Sequence, residues 1–259
     1  MIELKNKSQF EKMKVAGRIT GEALAVGAAA VKPGVTTKHV DEVIHDYIVK
    51  CGAVPSFLGY GGFPGSACVS LNEQVIHGIP SKDVIIKEGD LVKIDTGAIW
   101  EGYNGDAART VMCGEVSQDA RRLVEATKES FWQAFSVIKD HIENDKTLRL
   151  GDIGFAVESY ISKFGFGVVK KYVGHGIGRD MHETPDVPNY GRPGRGMRIT
   201  TGMALAVEPM INLGTGEVKE LSDGWTVVPL DGSLSSHYEN TILLTEEGVI
   251  ASTYIEGVN

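Results

Sequence analysis

Two helical segments followed by strand-like segments occur twice along the chain, and few folds are compatible with this duplicated order. In the first half, Ser8 begins a helix with a capping-box pattern, and a second helix follows Thr37. In the second half, Ser117 and Asp152 begin two more helices after similar intervals. Strand-like segments follow each pair of helices. The pattern predicts an α+β protein made of two pseudo-equivalent halves.

The composition and the charge limit the kinds of protein this chain can be. We predict a single catalytic domain, residues 1–259, with halves of about 1–115 and 116–259, because no Pro/Ser-rich linker divides them. The formal net charge of -8 does not favour nucleic acid as a main partner. The longest uncharged apolar run, 23–31, is shorter than the ~18 residues of a membrane span. Three cysteines without a CxxC pair favour a reducing, cytoplasmic location.

Two aspartates lie on either side of a turn-forming segment, 100–105. A hairpin folded symmetrically about Trp100 and Glu101 pairs Asp95 directly with Asp106, ~5 Å apart between Cβ atoms. Like charges in that arrangement repel each other unless a cation lies between them. The alternative is that the turn is offset and both aspartates are solvated.

Two glutamates lie in or beside apolar strand segments. Glu208 follows Ala-Leu-Ala-Val, and Glu239 precedes a run of strand-forming residues. A carboxylate in such a position is rarely buried without a partner. Glu208 follows Asp95 by the same interval that separates the two halves, so the two occupy equivalent places. Four carboxylates meeting between pseudo-symmetric halves make a dinuclear metal site plausible.

The seven histidines divide into candidates and inert residues. His175 lies between glycines, which allow the backbone to approach a metal or a substrate. His77 and His182 are again separated by about one half of the chain, which favours two symmetric catalytic histidines. His237 shares a strand face with Glu239 by alternation, but we predict that it is not a ligand. Three histidines on charged helix faces are predicted to be inert: His39, His45 and His141.

Taken together, these segments resemble the type I methionine aminopeptidases, metallopeptidases of the pita-bread fold. The matching segments, in chain order, are 59–64, 70–73, 77–80, 95–97, 105–110, 174–178, 181–185, 208–209 and 238–239. Each is weak alone, but their order and spacing are specific and cover essentially the whole chain. The resemblance implies two pseudo-symmetric halves whose helices cover a curved antiparallel sheet.

The resemblance also implies the site. It implies that two divalent metal ions are held by Asp95, Asp106, His175, Glu208 and Glu239. It implies a methionine pocket near Tyr60, Phe63, Cys68, His77, Met181 and Trp225. The implied catalytic residues are Glu208 for proton transfer, His182 at the carbonyl oxygen and His77 at the scissile amide.

The cofactors and the partners follow from the same resemblance. Oxygen-rich ligands suit Mn(II), Fe(II) or Co(II) about as well as Zn(II). An alkali-metal ion near Asn72 and Ser235 is also implied. The implied substrates are N-termini of nascent polypeptides with a small second residue. We expect a cytoplasmic monomer that works near the ribosome without binding nucleic acid or a membrane.

Three other functions remain open at this stage. A pita-bread aminopeptidase that cleaves before proline has similar chemistry. A non-catalytic binding homologue has the same fold, although such relatives lose metal ligands and this chain keeps all five. A metal-dependent phosphoesterase uses a similar two-metal site, but it needs Lys or Arg near the metals, and only Arg109 lies in the ligand segments.

Overall fold

The computed structural model describes residues 2–256, which form helices and antiparallel strands. The helices are α1 (Lys7–Ala30), α2 (Thr37–Lys50), α3 (Gln118–Glu143) and α4 (Leu150–Ile161). The first four strands are β1 (Val54–Pro55), β2 (Ala67–Leu71), β3 (Leu91–Trp100) and β4 (Tyr103–Met112). The others are β5 (Leu148–Arg149), β6 (Gly167–Val168), β7 (Gly174–Gly176), β8 (Glu183–Val187), β9 (Arg198–Ile199), β10 (Ala204–Val207), β11 (Met210–Asn212), β12 (Val218–Glu220), β13 (Val227–Pro229), β14 (Ser235–His237), β15 (Asn240–Thr245) and β16 (Gly248–Ala251).

The first helix begins two residues earlier than the Ser8 pattern predicts. Asn6 is the N-cap, and its side chain accepts a hydrogen bond from the amide of Gln9 at 3.0 Å. The side chain of Gln9 in turn accepts from the amide of Asn6 at 2.7 Å. The prediction of Ser8 as the cap is wrong because Asn and Gln form a capping box as well as Ser and Glu do.

The helices of the second half show one confirmed start and one correction. Ser117 caps α3 as predicted, with its side chain accepting from the amide of Ala120. Asp152 does not begin α4. It lies in the first turn of that helix and accepts from the amide of Arg149 at 2.8 Å, which is the reciprocal half of a capping box.

The β3–β4 hairpin turns one residue later than predicted. Glu101 and Gly102 form the two-residue turn with φ of 45° and 79°, which fits a type I′ hairpin. Asp95 therefore pairs with Ala108, and Asp106 pairs with Gly97. The predicted direct opposition of the two aspartates is wrong. A turn one residue later changes the partner of each strand residue by two positions. Because two is even, the side chains of Asp95 and Asp106 still lie on the same face of the sheet, as diagonal neighbours.

The remaining strands place the second half against this hairpin. His175 lies in the five-stranded sheet β16-β15-β10-β7-β8. A separate three-stranded sheet, β14-β11-β6, is linked to it along the chain, because β11 follows β10 and β15 follows β14. The two halves are joined where the amide of Glu239 donates to the carbonyl of Ala108 at 2.9 Å. The amide of Asp106 also donates to the hydroxyl of Thr241 at 2.9 Å. These bonds bring strands from distant parts of the chain together at the acidic residues.

Each half has its own apolar core. Helices α1 and α2 pack Ile19, Leu24 and Ile44 against Ile94 of β3. Helices α3 and α4 pack against strands of the second half in another cluster, which includes Leu123, Phe131, Ile138, Ile153, Val157, Leu205 and Ile242. The single catalytic domain and its division near residue 115 remain predictions. Within residues 2–256, none of the helices combines the length and apolar character needed to cross a membrane.

Candidate metal centre and active site

The five predicted metal ligands line one cavity of about 200 Å³. Asp95 and Asp106 reach it from the hairpin β3–β4. The other three come from the second half, where His175 lies on β7, Glu208 between β10 and β11, and Glu239 between β14 and β15. Single oxygen or nitrogen atoms of Asp106, His175 and Glu239 all lie within 4.8 Å of one another.

His175 is held in the orientation and tautomer that a metal ligand needs. Its Nδ1 donates to the carbonyl oxygen of Gly176 at 2.8 Å, which leaves the lone pair on Nε2. That Nε2 lies 3.7 Å from Oδ2 of Asp106 and 3.6 Å from Oε1 of Glu208. These distances are too long for hydrogen bonds and fit two atoms that ligate one ion at about 2.0–2.2 Å each.

The carboxylates carry an electrostatic cost in the absence of a cation. Burial raises the pKa of Asp106 to about 7. Burial, followed by the charge of Asp106, raises the pKa of Asp95 well above its usual value. The pKa values of Glu208 and Glu239 are also raised well above the usual value, first by burial and then by neighbouring carboxylates. Without a metal ion, the ionised form of each carboxyl group is destabilised, and a bound cation would offset that cost.

The buried oxygens of this cluster fit a divalent cation. Within the described part of the chain, Oδ1 of Asp95, Oδ1 of Asp106 and Oε1 of Glu239 are buried without a hydrogen-bond partner. Buried carboxylate oxygens rarely lack partners, because losing water without replacement is costly. A set of hard oxygen donors with one imidazole matches the ligand chemistry of first-row divalent ions.

The two predicted catalytic histidines lie at the same cavity. The hydroxyl of Tyr60 is 2.8 Å from Nδ1 of His182, and the rings of His175 and His182 lie 4.2 Å apart between centroids. His77 has φ of 61°, a left-handed conformation that is uncommon outside glycine and tends to occur at functional sites. Burial lowers the pKa of His77 to about 4, and burial also lowers that of His182, so both are neutral at pH 7.

The remaining wall of the cavity is apolar. Phe57, which takes the place of a pocket cysteine found in some relatives, lines it as well. The structure also brings all the residues of the predicted methionine pocket to this wall: Tyr60, Phe63, Cys68, His77, Met181 and Trp225. Phe63, Cys68 and Met181 are at most 4% exposed, whereas Tyr60 is 47% exposed. The rings of Phe63 and His77 both make edge contacts with Trp225. The pocket thus has a buried apolar end and an open, aromatic rim.

Two residues at the site, His237 and Tyr172, were given no role by the sequence predictions. The ring of His237 is buried close to Glu208 and Glu239, and only strand alternation pointed to that face. Tyr172 makes an edge contact with the ring of His77. No sequence signal marks Tyr172, because its partner is about a hundred residues away in a separate segment.

Comparison with known proteins defines the class to which this geometry belongs. The sequence pattern of metallopeptidase family M24 matches residues 11–246, and the chain belongs to this family. It is therefore a metal-dependent peptidase, in agreement with the acidic, metal-compatible cluster.

Relatives with high sequence identity indicate which members of this family the chain resembles. Methionine aminopeptidase from Clostridium acetobutylicum is 53% identical over 248 residues, which cover 96% of this chain and 97% of that protein. A crystal structure of methionine aminopeptidase from Thermotoga maritima has 42% identity and a TM-score of 0.94, covering 98% of this chain and all of that one. The predicted resemblance and the predicted α+β pita-bread fold are both confirmed.

A more distant structure supports the assignment of the fold alone. Prolidase from Pyrococcus furiosus has a TM-score of 0.74 at 22% identity, and the match covers 98% of this chain but 66% of the prolidase.

Proposed function

We propose that this protein removes the N-terminal methionine from nascent polypeptides by dinuclear-metal-assisted hydrolysis when the second residue is small. The observation that carries the proposal is that the acidic cluster and an apolar pocket are two walls of one cavity. A methionine side chain in the pocket puts its own carbonyl next to the acidic cluster. The high identity to methionine aminopeptidases supports this specificity.

Two divalent ions are held in this proposal by the five ligands that line the cavity: Asp95, Asp106, His175, Glu208 and Glu239. When bound, such ions lower the pKa of a water from about 15.7 to about 7 and so supply a nucleophile at neutral pH. The donor set suits Mn(II), Fe(II) or Co(II), with Zn(II) as a further candidate.

Glu208 is the residue proposed to transfer the proton. Its side chain is 12% exposed, so it borders both the buried ligands and the open part of the cavity. Its carboxylate is the proposed acceptor of the proton from the attacking water. The same carboxyl then delivers that proton to the leaving amine.

His182 and His77 are proposed to bind the scissile peptide group. The hydroxyl of Tyr60 donates to Nδ1 of His182, which leaves the proton on Nε2 available for the carbonyl oxygen. The pKa of Tyr60 is raised by burial, so its phenol stays protonated as this arrangement requires. His77, whose ring contacts Trp225 at the same cavity, is proposed to contact the amide. Both histidines are neutral donors that stabilise developing negative charge.

Some finer features are carried over from the resemblance alone. They are the small second residue, the cytoplasmic location, the monomeric state and the association with the ribosome. The resemblance also implies an alkali-metal ion near Asn72 and Ser235, at a carbonyl that a lysine contacts in this chain. In the structure, the carbonyl of Asn72 already accepts from Nζ of Lys93 at 2.6 Å and from the amide of Ser235 at 3.0 Å.

The phosphoesterase alternative needs a cation near the metals, and Arg109, the one in the ligand segments, is held elsewhere. Arg109 is only 3% exposed, and its guanidinium donates to the carbonyl of Glu239 and to Oδ1 of Asn240 at 2.7 Å. It also lies over the ring of Tyr238, 4.2 Å from the centroid. A guanidinium held in this way supports the backbone at Glu239 and is not free to hold a phosphate.

Hydrolysis of two peptides tests the proposal. Metal-stripped protein, reloaded with Mn(II) or Co(II), is incubated with Met-Ala-Ser and separately with Gly-Pro-Ala. We expect metal-dependent release of methionine and no cleavage of the proline peptide. Cleavage of the proline peptide alone would assign the protein to the prolyl-specific enzymes. Cleavage of neither peptide, with metal bound, would favour a binding protein.

A further inference from the structure

His237 has a buried side chain without a partner, and it lies beside the proposed metal ligands. Its side chain is 1% exposed, and among residues 2–256 neither ring nitrogen has a hydrogen-bond partner. Nε2 lies 3.7 Å from Oε2 of Glu208 and 4.0 Å from Oε2 of Glu239. A buried imidazole that makes no hydrogen bond is destabilising, so its retention needs a reason.

The backbone around His237 fixes the direction of its ring. The hydroxyl of Thr110 donates to the carbonyl of His237 at 2.9 Å and accepts from its amide at 3.0 Å. His237 also pairs with Met210 across β14 and β11, two residues beyond Glu208. These contacts aim the imidazole between the two glutamates rather than into the apolar core.

The two oxygens of Glu208 face different histidines. Oε1 faces Nε2 of His175, and Oε2 faces Nε2 of His237, at nearly equal distances. The two imidazoles differ, however, because Nδ1 of His175 is bonded to a backbone carbonyl and that of His237 is not. His175 therefore presents a lone pair, whereas His237 is free to present an N–H group.

We propose that His237 is a positioning residue whose Nε2–H donates to Oε2 of Glu208 and turns Oε1 towards the metal centre. This inference rests on the proposed function, because it gives Glu208 the role assigned there. Closing the gap of 3.7 Å to a hydrogen bond requires only a small rotation of the carboxyl group. The bond would fix both the orientation of Glu208 and its affinity for the ion.

Two substitutions separate positioning from direct ligation. His237→Gln keeps an N–H donor but is a poor ligand for a divalent ion, and His237→Leu removes the donor while retaining bulk. His141→Gln and His141→Leu are matched controls, because the side chain of His141 bonds to the carbonyl of Val137 and lies near Asp140, both in its own helix and outside the cavity. Circular dichroism and thermal unfolding of the metal-free variants check that they fold.

Mn(II) binding by calorimetry is the main readout, with kcat and KM for Met-Ala-Ser as the second. We expect His237→Leu to weaken one binding step and to lower kcat by about 10- to 100-fold with little change in KM. We expect His237→Gln to restore most of both. Wild-type values for His237→Leu would overturn the proposal, and so would an equal loss in both variants, which would make His237 a ligand. The calorimetry still tests His237 if the wild-type protein releases no methionine.

Discussion

The carboxyl group of Glu208 lies between two imidazoles that differ only in their other hydrogen bonds. The backbone partner of His175 sets its tautomer, and the phenol of Tyr60 contacts His182 in a comparable way. Single hydrogen bonds outside the immediate ligands therefore determine which atoms carry protons at the reacting centre. This is the scale at which the proposed chemistry is most sensitive to substitution.

Replacing His182 by alanine tests the proposed donor to the carbonyl oxygen. We expect kcat for Met-Ala-Ser to fall by roughly 100- to 1,000-fold, since one donor to the developing oxyanion is lost. Metal content should stay at the wild-type value, because His182 is not among the predicted ligands. Metal analysis and steady-state kinetics check both statements, with His141→Ala as the control. An unchanged kcat in fully loaded protein would remove His182 from the mechanism.

At the scale of the elements, the β3–β4 hairpin decides how the two aspartates meet. The chain offers six consecutive turn-forming residues between its strands, so the sequence alone leaves the position of the turn open. The structure uses Glu101 and Gly102, both with positive φ. The predicted register was wrong, yet the shared face of Asp95 and Asp106 was preserved because the shift was even.

Gly102 should be replaceable only at a cost in stability. An alanine at φ of 79° is strained by roughly 1–2 kcal/mol, while its Cβ would meet only Nη1 of Arg179 at 3.8 Å. We expect Gly102→Ala to lower the free energy of unfolding by about that amount and to leave KM and kcat near wild type. Urea unfolding and kinetics measure this. A large fall in kcat at full stability would mean that the turn controls the site more directly.

Lys93 connects three elements near the ligands. Its side chain is buried on β3, two residues before Asp95, and donates to the carbonyl of Asn72, which also accepts from the amide of Ser235. Both lone pairs of that oxygen are therefore used. An alkali-metal ion that bound there would have to displace the lysine.

Potassium should consequently have little effect on the wild-type protein. We expect equal activity and melting temperature in potassium and tetramethylammonium salts of the same ionic strength. Lys93→Met, which removes the donor but keeps an unbranched chain, should be less stable and should gain stability from potassium. A wild-type protein that responds to potassium as strongly as the variant would contradict this prediction.

For the whole molecule, the sequence predicted accurately which residues come together at the cavity. It predicted less well the contacts that hold those residues in place. The five ligands and the pocket were named by a resemblance, and the cavity contains them all. The environment of His237 could not be predicted, because Thr110, Met210 and Glu208 come from three separated segments. The starts of α1 and α4 were placed too late, whereas that of α3 was correct, because several residue types cap a helix equally well.

The metal-free protein should become less stable as the pH rises above about 7.5. Histidines with a lowered pKa, such as His77 and His175, are neutral in the folded state, and above that pH the histidines of the unfolded chain are nearly all neutral too. The buried carboxyls, whose pKa values are raised by burial, bind protons more tightly than the same groups in the unfolded chain. Their stabilising effect is complete at low pH and is lost as the pH passes through their folded pKa values.

Thermal unfolding of metal-stripped protein at pH 7.5 and pH 8.5 tests this sign. Each proton that the folded state holds in excess of the unfolded state costs about 1.4 kcal/mol of stability per pH unit, and 1 kcal/mol corresponds to about 2–4 °C in a chain of this size. We expect the melting temperature to fall by several degrees without metal and to stay nearly constant with saturating Mn(II). A metal-free protein that is equally stable at both pH values would show that the carboxyls are already ionised at pH 7.5.

The division of the ligands between the halves has a consequence for synthesis. The hairpin supplies Asp95 and Asp106 early, but Glu239 is added only after most of the second half has been made. A chain interrupted before Glu239 would carry the other acids of the cluster with an incomplete set of partners. Catalytic competence would therefore arise late and all at once during translation, and shortened products would be inert towards other N-termini in the cell.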